Sequence, residues 1–315
     1  MQAEVILFNK IRDGKMMKKY LFIFVLLTVL AGCGKVNRDG RPRNKVDYAS
    51  WYNDDENTDD GKPGVMIMSF NVRYSNSTED TGDKNWSRRR AGCYKMINSL
   101  RPVLMGVQEC RLDQRNDLKG NCPGYEVIGR SRDNTADGEQ VAIFYLSDSV
   151  VINDWKTFWL SDTPDVVSKY PAAGSYRCAT MAKVTHIKSG SQFCYINTHL
   201  DLDGVREFEM SVILDQMGKY AGSLPVVMTG DWNDAEDSNI FTEMYETFHN
   251  ARWSSRSGDA YGTYNGFSNP NTTTKLDHIF YRGFSVCAKF ITVKQAWEGF
   301  QFISDHYPVY AILKF

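Results

Sequence analysis

The sequence has no excess of charge of either sign, and this limits the partners that it predicts. Its 315 residues include 37 Lys and Arg and 38 Asp and Glu, for a formal net charge of -1. Proteins that hold nucleic acid by its backbone usually have a basic surface, so a polyanionic partner would have to be held locally here. No repeat period typical of solenoids or propellers is visible. Hydrophobic residues make up 42% and aromatic residues 13%, which favours a globular protein with a large core.

A long apolar run is also missing from the N-terminus. Lys18 and Lys19 precede apolar residues 20–30, a run shorter than the roughly 20 residues that a membrane helix needs. The run ends in Leu-Ala-Gly-Cys at residues 30–33, which resembles the lipobox of bacterial lipoproteins, whose cysteine becomes the lipidated first residue. We therefore expect residues 1–33 to be a signal segment and Cys33 to carry a lipid anchor. The protein would then lie outside the cytoplasm on a bacterial membrane, in the periplasm or at the cell surface; a plain secretory signal is the alternative.

Residues 34–64 are polar and charged, which predicts a flexible tether between the lipid and a folded domain at 65–315. The domain holds six cysteines, whose spacings match no zinc-binding pattern. Disulfides can form outside the cytoplasm, but we expect most of these cysteines to be small buried hydrophobic side chains. They are Cys93, Cys110, Cys122, Cys178, Cys194 and Cys287.

Short strand-like runs alternate with a few helical stretches in the predicted domain. Residues 225–229 are apolar without polar alternation, which predicts a strand buried on both faces. Gly230 follows, and then Asp231 and Asn233, which face the same side of an extended segment. Further strands are predicted at 65–70, 103–109, 140–145, 275–281 and 307–315 and in a hairpin about the turn 188–191, with helices from Trp86 to Pro102, at 205–220 and around 240–248.

Polar residues recur at the edges of these runs. Asp231 and Asn233 alone would be an ordinary turn after a strand. The recurring residue types, however, are limited to those that bind divalent cations or move protons. Strand ends on one rim of a sheet core converge in space, so the sequence predicts one site at the mouth of two packed sheets. Its members are Asn71, Glu109, His199, Asp231, Asn233, Asp277, Asp305 and His306.

At these positions the sequence resembles the endonuclease/exonuclease/phosphatase superfamily, whose members have a DNase-I-like fold. The resemblance covers residues 65–315 in the family's order, and it implies a four-layer α/β/β/α sandwich. Two mixed β-sheets would pack face to face, with helices outside and the site at one rim. The matching segments are Ser-Phe-Asn-Val-Arg (69–73), Gly-Val-Gln-Glu-Cys (106–110), Asn-Thr-His-Leu-Asp (197–201), Thr-Gly-Asp-Trp-Asn (229–233), Leu-Asp-His-Ile-Phe (276–280) and Ser-Asp-His-Tyr-Pro (304–308).

The resemblance also implies roles in the hydrolysis of a phosphate ester. Glu109 would be the principal ligand of a Mg²⁺ ion, with Mn²⁺ as the alternative, and Asn71 would lie beside it. Asp305 would bind the metal directly or through water. His306 would be the general base that deprotonates water, and Asp277 would orient its ring.

The remaining catalytic residues have less definite roles in the resemblance. His199 would hydrogen-bond the phosphate or the leaving oxygen. Glu139 would fix the tautomer of His199, although a turn residue is an equal interpretation of Glu139. Asp231 and Asn233 would position the water or the leaving group and bind a phosphoryl oxygen; the sequence does not choose among these.

Two arginines are candidate phosphate contacts. Some family members carry a second carboxylate two residues after the Asn71 position, where this chain has Arg73. That departure weakens the case for a second metal ion and adds positive charge near the phosphate. Arg206 is the other candidate, since guanidinium groups match phosphate oxygens; a structural or solvated role is an equal alternative for both. His278 should point away from the site in a regular strand, and Trp232 is expected to pack.

A divalent-metal-dependent phosphoesterase is the function that the sequence favours, either a phosphodiesterase or a phosphatase. We expect a monomer and a small or lipid-linked phosphate-ester substrate. An extracytoplasmic nuclease acting on DNA or RNA is the alternative, which the balanced charge disfavours. The second alternative is a binding lipoprotein that lost the chemistry, although Glu109, Asp231, Asp277 and His306 are all present.

Overall fold

Two six-stranded β-sheets form the centre of the structure, a computed structural model that describes residues 63–202 and 204–315. The signal segment and nearly all of the tether predicted from the sequence lie outside the described residues. The first strand starts at Gly64, one residue before the predicted start of the domain. None of the helices in the described residues has the length and hydrophobicity that crossing a lipid bilayer requires.

The strands and helices have the following bounds. The strands are β1 (Gly64–Asn71), β2 (Leu104–Cys110), β3 (Tyr125–Ile128), β4 (Gln140–Leu146), β5 (Val150–Trp159), β6 (Cys178–His186), β7 (Gln192–His199), β8 (Val226–Asp231), β9 (His249–Asn250), β10 (Asp277–Arg282), β11 (Val286–Thr292) and β12 (Val309–Lys314). The α-helices are α1 (Trp86–Leu100), α2 (Leu112–Asn121), α3 (Arg206–Ala221) and α4 (Ala251–Ser254).

Both sheets are mixed, and they pack face to face. The first has the order β11-β12-β1-β2-β4-β3 and the second β5-β6-β7-β8-β10-β9. The pairs β1/β2 and β7/β8 are parallel, and the other named pairs are antiparallel. Because each sheet contains a parallel pair, the chain must cross over between those strands, and α1 and α3 lie in these crossovers.

Period-two alternation explains why the central strands are apolar on both faces. Ile67 of β1 and Val227 of β8 lie in the core between the sheets, whereas their neighbours Met68 and Met228 lie in cores on the outer faces. Helix α1 contributes to one outer core and α3 to the other. The four-layer sandwich with a DNase-I-like arrangement is therefore confirmed.

A polar bridge crosses the otherwise apolar core directly beneath the site. Gln108 donates to Oδ1 of Asn197 at 2.7 Å, and the Thr229 hydroxyl contacts the same oxygen at 3.2 Å. Asn197 in turn donates to two backbone carbonyls of the facing sheet, those of Val107 and Ala142. Gly106 makes this close approach possible, because a Cβ atom there would lie 2.3 Å from Thr229 Oγ1. The bridge fixes the spacing of the two sheets where the site is built.

One helix prediction was wrong. Residues 240–248 form two 3₁₀ turns, Asn239–Phe241 and Met244–Glu246, instead of an α-helix. Phe241, Met244 and Phe248 do point into one core at helical spacing, which explains the prediction. The backbone, however, closes i→i−3 hydrogen bonds such as Thr242 N–H to Asn239 O, and each run stops after three residues.

All six cysteines in the described residues are buried, and none forms a disulfide. They lie in the apolar cores between and outside the sheets. This confirms the expectation that they act as small hydrophobic side chains.

Candidate active site

Asp231 lies at the centre of the predicted site. It ends β8 and pairs across the sheet with His199 at the end of β7 and with Asp277 at the start of β10. Its buried Oδ2 lies 3.5 Å from Nε2 of His199 and 3.6 Å from Nε2 of His306. The same oxygen accepts a hydrogen bond of 2.9 Å from the amide of Asn71, which belongs to the facing sheet. Strand ends from both sheets therefore converge on one carboxylate.

The ring of His306 is held between two carboxylates. Its Nδ1 lies 2.8 Å from Oδ2 of Asp277, and both side chains are buried. Burial opposes protonation of His306, but the charges of Asp277 and Asp231 outweigh it and raise its pKa well above 6.5. Burial, together with the charge of Asp277, also raises the pKa of Asp231. The orienting contact from Asp277 is the one that the resemblance implies, and Asp231 faces the other ring nitrogen of His306 at 3.6 Å.

Asn71 connects Glu109 to Asp231. Its Nδ2 donates to Oε1 of Glu109 and to Oδ2 of Asp231, both at 2.9 Å. Its Oδ1 accepts from the backbone N–H of Arg73. The amide therefore turns nitrogen toward the two carboxylates, and the oxygens that face a cation come from Glu109 and Asp231. Glu109 also accepts from the Tyr74 backbone N–H at 3.1 Å, which fixes its second oxygen.

Three residues around the site have left-handed backbones although none is glycine. They are Arg73 with φ 53°, Glu109 with φ 58° and Asn233 with φ 51°. Such conformations are uncommon for residues with a Cβ, and they persist only where the surroundings enforce them. Arg73 and Asn233 follow strands that end at the site, whereas Glu109 lies at the irregular end of β2, where its side chain meets Asn71.

His199 is neutral and held by Asn233. Burial lowers the pKa of His199 well below 6.5, and the positive charges of Arg177 and Arg132 lower it further. Its Nε2 lies 3.2 Å from Nδ2 of Asn233, which also donates to the backbone carbonyl of Leu200. The same Nε2 lies 3.5 Å from Oδ2 of Asp231, so Asn233 and Asp231 both hold the ring on this side. Glu139 does not make the predicted contact with His199, because its carboxylate pairs with Arg132 at 2.8 Å.

Both arginines predicted as phosphate contacts have carboxylate partners. Arg73 binds Asp80 at 3.1 Å and lies 4.0 Å from Asp305. Arg206 pairs with Asp234 at 3.1 Å and donates to the backbone carbonyl of Asn233 at 2.6 Å. These contacts anchor the loops that carry the site, so the structure favours the structural alternative for both residues.

Two sets of side chains in the described residues could hold a divalent cation. Glu109, His199 and Asp231 offer ligand atoms within 4.8 Å of one another, and so do Asp231, Asp277 and His306. In the second set, Asp277 and His306 are already bonded to each other. Each set supplies two carboxylates and one imidazole, and the first fits a hard divalent cation better because two of the three ligands of the second are taken up by the Asp277–His306 contact. Asp305 lies on the Arg73 side with its pKa raised by burial, and Ser304 Oγ donates to it at 3.3 Å.

Other residues lie as the sequence indicates or were missed. His278 turns away from the site and contacts the Asp234 carbonyl at 2.8 Å, and Trp232 is fully buried against Phe241 and Phe280. Sequence reasoning missed Arg132 and Arg177, which line a cavity with Glu109 and His199. Neither belongs to a motif; the only signal is that Arg177 directly precedes strand β6, which pairs with β7 and its terminal His199.

The two-sheet sandwich with acids and imidazoles at one rim defines a phosphoesterase of DNase-I-like fold. The chain belongs to the Endonuclease/Exonuclease/phosphatase family, whose model matches residues 68–306. A second model, for the prokaryotic membrane lipoprotein lipid attachment site, matches residues 17–33 and so ends on Cys33. The protein is thus a lipid-anchored, extracytoplasmic protein, which confirms the localisation predicted from the sequence.

Solved structures resemble the chain over most of its length. An endonuclease/exonuclease/phosphatase family protein from Bacteroides thetaiotaomicron is 28% identical, with a TM-score of 0.75 over 81% of this chain and 98% of that one. A mannosyl-6-phosphatase from the same species is also 28% identical, with a TM-score of 0.74 over 80% of this chain and 100% of that one. The human Nocturnin catalytic domain, with a bound sulfate anion, is 17% identical with a TM-score of 0.61 over 80% and 94%, and supports the fold alone. Comparison with curated proteins gives no match.

Proposed function

We propose that this phosphoesterase hydrolyses a small or lipid-linked phosphate ester with the help of Mg²⁺, with Mn²⁺ as the alternative. The observation that carries the proposal is the continuous chain of contacts from Glu109 through Asn71 and Asp231 to His306 and Asp277. These contacts support the proposal because a carboxylate suited to a cation lies within a few ångströms of residues suited to accept a proton. The mannosyl-6-phosphatase at 28% identity supports a phosphatase over a nuclease.

The chain's own residues account for binding and proton movement. Asp231 and His306 together accept a proton from a water molecule, while Asp277 holds the ring of His306 in place. The water oxygen forms a bond to phosphorus as the bond from phosphorus to the ester oxygen breaks. The proton returns through solvent to the leaving oxygen, so the products are an alcohol and a phosphate. A divalent cation bound at Glu109 would neutralise charge on the phosphoryl oxygens.

His199 and Asn233 face the same oxygens from the other side. The neutral ring of His199 has one N–H, which can donate to a phosphoryl or leaving oxygen, and its Nε2 lies 3.2 Å from Asn233 and 3.5 Å from Asp231. Asn233 is itself fixed by its backbone N–H, which donates to Oδ1 of Asp231 at 3.0 Å. This pair therefore orients the substrate and takes no proton from water.

We also propose that residues 34–64 tether the domain at 65–315 to the lipid on Cys33 and that the protein acts as a monomer. About thirty extended residues reach roughly 100 Å, so the site can contact either the membrane surface or soluble esters. Light scattering of the protein without its lipid would show a dimer if the monomer proposal is wrong.

Turnover of p-nitrophenyl phosphate and bis-p-nitrophenyl phosphate tests the function. We expect hydrolysis with Mg²⁺ that EDTA abolishes, and at least a hundredfold loss in His306→Ala, since general acid–base groups contribute roughly 10²–10⁴-fold. His186→Ala, in the remote β6–β7 hairpin, is the matched control and should retain activity. Turnover of neither ester would favour the binding lipoprotein, and efficient nicking of plasmid DNA would favour the nuclease.

A further inference from the structure

Arg177 is a buried arginine whose hydrogen bonds are incomplete. The residue is 8% exposed, and its Nη2 donates to Oδ1 of Asp201 at 3.3 Å. Its Nε and Nη1 are buried with no hydrogen-bond partner among the described residues. A buried, charged donor without a partner is costly, so two such nitrogens on one guanidinium indicate a ligand that completes them. The ligand has to be an acceptor, and a negative charge suits it best.

The cavity next to Arg177 opens onto the candidate active site. Arg177 lines it together with Glu109, His199, Arg132 and Glu139. Its empty volume of about 200 Å³ includes open solvent, and the enclosed part has room for about one water-sized group, such as a single oxygen. It therefore has room for one compact group and not for a sugar ring or a base.

Two guanidinium groups, those of Arg132 and Arg177, lie on the wall of this cavity together with the carboxylates of Glu109 and Glu139. Arg132 pairs with Glu139 at 2.8 Å, and Arg177 pairs with Asp201, so each has a carboxylate behind it that holds it in place. His199 lies on the wall of the same cavity, so both guanidinium groups are close to its ring. An oxyanion that accepts a hydrogen bond from His199 would therefore have an oxygen near Arg177.

We propose that Arg177, supported by Arg132, binds a terminal oxygen of a phosphate monoester and makes the enzyme a monoesterase; this inference rests on the proposed function. At pH 7 a monoester phosphate carries a charge of about -1.5 to -2 and three unesterified oxygens. A diester carries one charge less and has a carbon substituent on one of those oxygens. That oxygen accepts poorly from Arg177, and the narrow cavity leaves little space for the substituent.

The test compares the hydrolysis of a monoester and a diester by variants that each lack one positive charge. In Arg177→Gln, kcat/KM for p-nitrophenyl phosphate should fall by roughly ten- to a hundredfold, as for the loss of a charge-assisted hydrogen bond. The value for bis-p-nitrophenyl phosphate should change by less than about threefold, and Arg177→Lys should recover part of the loss. Arg130→Gln removes the same charge from an exposed residue nearby and is the matched control, with both rates unchanged.

Binding of inorganic phosphate separates this inference from the proposed function. Phosphate should raise the melting temperature of the wild-type protein and of Arg130→Gln, and it should raise that of Arg177→Gln much less. If the wild type binds phosphate in this way but hydrolyses neither ester, the proposed function fails and the anion site stands. If it hydrolyses the esters but Arg177→Gln keeps the ratio of the two rates and the phosphate response, the inference is overturned. Should Arg177→Gln not fold, Arg132→Gln decides by the same two measurements.

Discussion

Replacement of Glu209 by Gln should remove a loss of folding stability that the wild-type protein suffers as the pH rises. Glu209 lies in the first turn of α3 and is fully buried. Its Oε2 accepts from the backbone N–H of Asp201 at 2.8 Å, whereas its Oε1 is buried without a partner in the described part of the chain. Burial raises the pKa of Glu209 from 4.5 to about 7. The folded protein therefore holds this proton over a range of pH in which the unfolded chain has lost it.

The sign and size of the effect follow from this shift. Because the folded state binds more protons than the unfolded state between pH 4.5 and about 7, the free energy of unfolding falls as the pH rises through that range. Each pKa unit corresponds to about 1.4 kcal/mol, so Glu209 alone removes up to about 3 kcal/mol by pH 8 relative to pH 4.5. A glutamine keeps the acceptor for the Asp201 N–H and has no charge to bury.

Urea unfolding of the wild-type protein and of Glu209→Gln at pH 5 and pH 8 measures this term. All other titrating groups are common to both proteins. The difference in their free energies of unfolding therefore changes with pH only through Glu209. From pH 5 to pH 8, we expect the free energy of unfolding of the variant to rise by about 2–3 kcal/mol relative to that of the wild type. Asp215→Asn, on the exposed face of the same helix, is a control that should not gain with pH in this way. Parallel pH profiles for the wild type and Glu209→Gln would refute the reasoning.

Two further predictions concern the reaction. Asp277→Asn keeps the shape of the side chain that contacts His306 but removes the negative charge, so kcat should fall by roughly 10²–10⁴-fold with little change in substrate KM. The control is Asp259→Asn, which removes a carboxylate that pairs with Arg252 away from the site and should leave kcat unchanged. Glu109→Gln should raise the Mg²⁺ concentration needed for half-maximal activity by at least tenfold while the melting temperature of the metal-free protein stays within a few degrees. An unchanged kcat in Asp277→Asn, or an unchanged Mg²⁺ requirement in Glu109→Gln, would remove these residues from the mechanism.

The positions of the site residues could be predicted because a strand end shows in the sequence as an apolar run followed by polar residues. An apolar run without alternation predicts β8, and the two-residue spacing after it predicts that Asp231 and Asn233 belong together. The pairing of β8 with β7 and β10 then sets His199 and Asp277 beside Asp231. The contact between His306 and Asp277 has the geometry that the resemblance implies, while the roles of these residues stay predictions.

The partners of charged residues could not be predicted in the same way. Arg73 and Arg206 were candidates for phosphate binding because of their place in the chain, but each contacts a carboxylate in a loop that has no periodic pattern. Glu139 likewise pairs with Arg132 instead of His199. Loop conformation decides which of several nearby charged side chains form an ion pair. That conformation depends on tertiary packing and not on local periodicity.

Some elements were also invisible to pattern analysis. Helix α2 was not predicted, because Gln114 and Leu118 are its only buried residues and give no apolar stripe. Its N-terminus is instead fixed by Gln114, whose Oε1 accepts from the backbone N–H groups of Ser75 and Arg111 and whose Nε2 donates to the Arg73 carbonyl. The helix is therefore stabilised by polar contacts to the loop after β1.

The geometry of the site depends on residues that take no part in the chemistry. Glu109 and Asn71 come from one sheet and Asp231 from the other, so the 2.9 Å hydrogen bond from Asn71 to Asp231 spans the two sheets at the rim, whereas the bond to Glu109 lies within one sheet. Below the rim, Gln108 bonds to Asn197 across the sheets, and Gly106 leaves the space for that approach. A larger residue at 106 would push the sheets apart and lengthen the contact between Asn71 and Asp231. Sheet packing thus keeps Glu109 and Asn71 in register with Asp231, and the left-handed residues Arg73, Glu109 and Asn233 redirect the backbone where the strands reach the site.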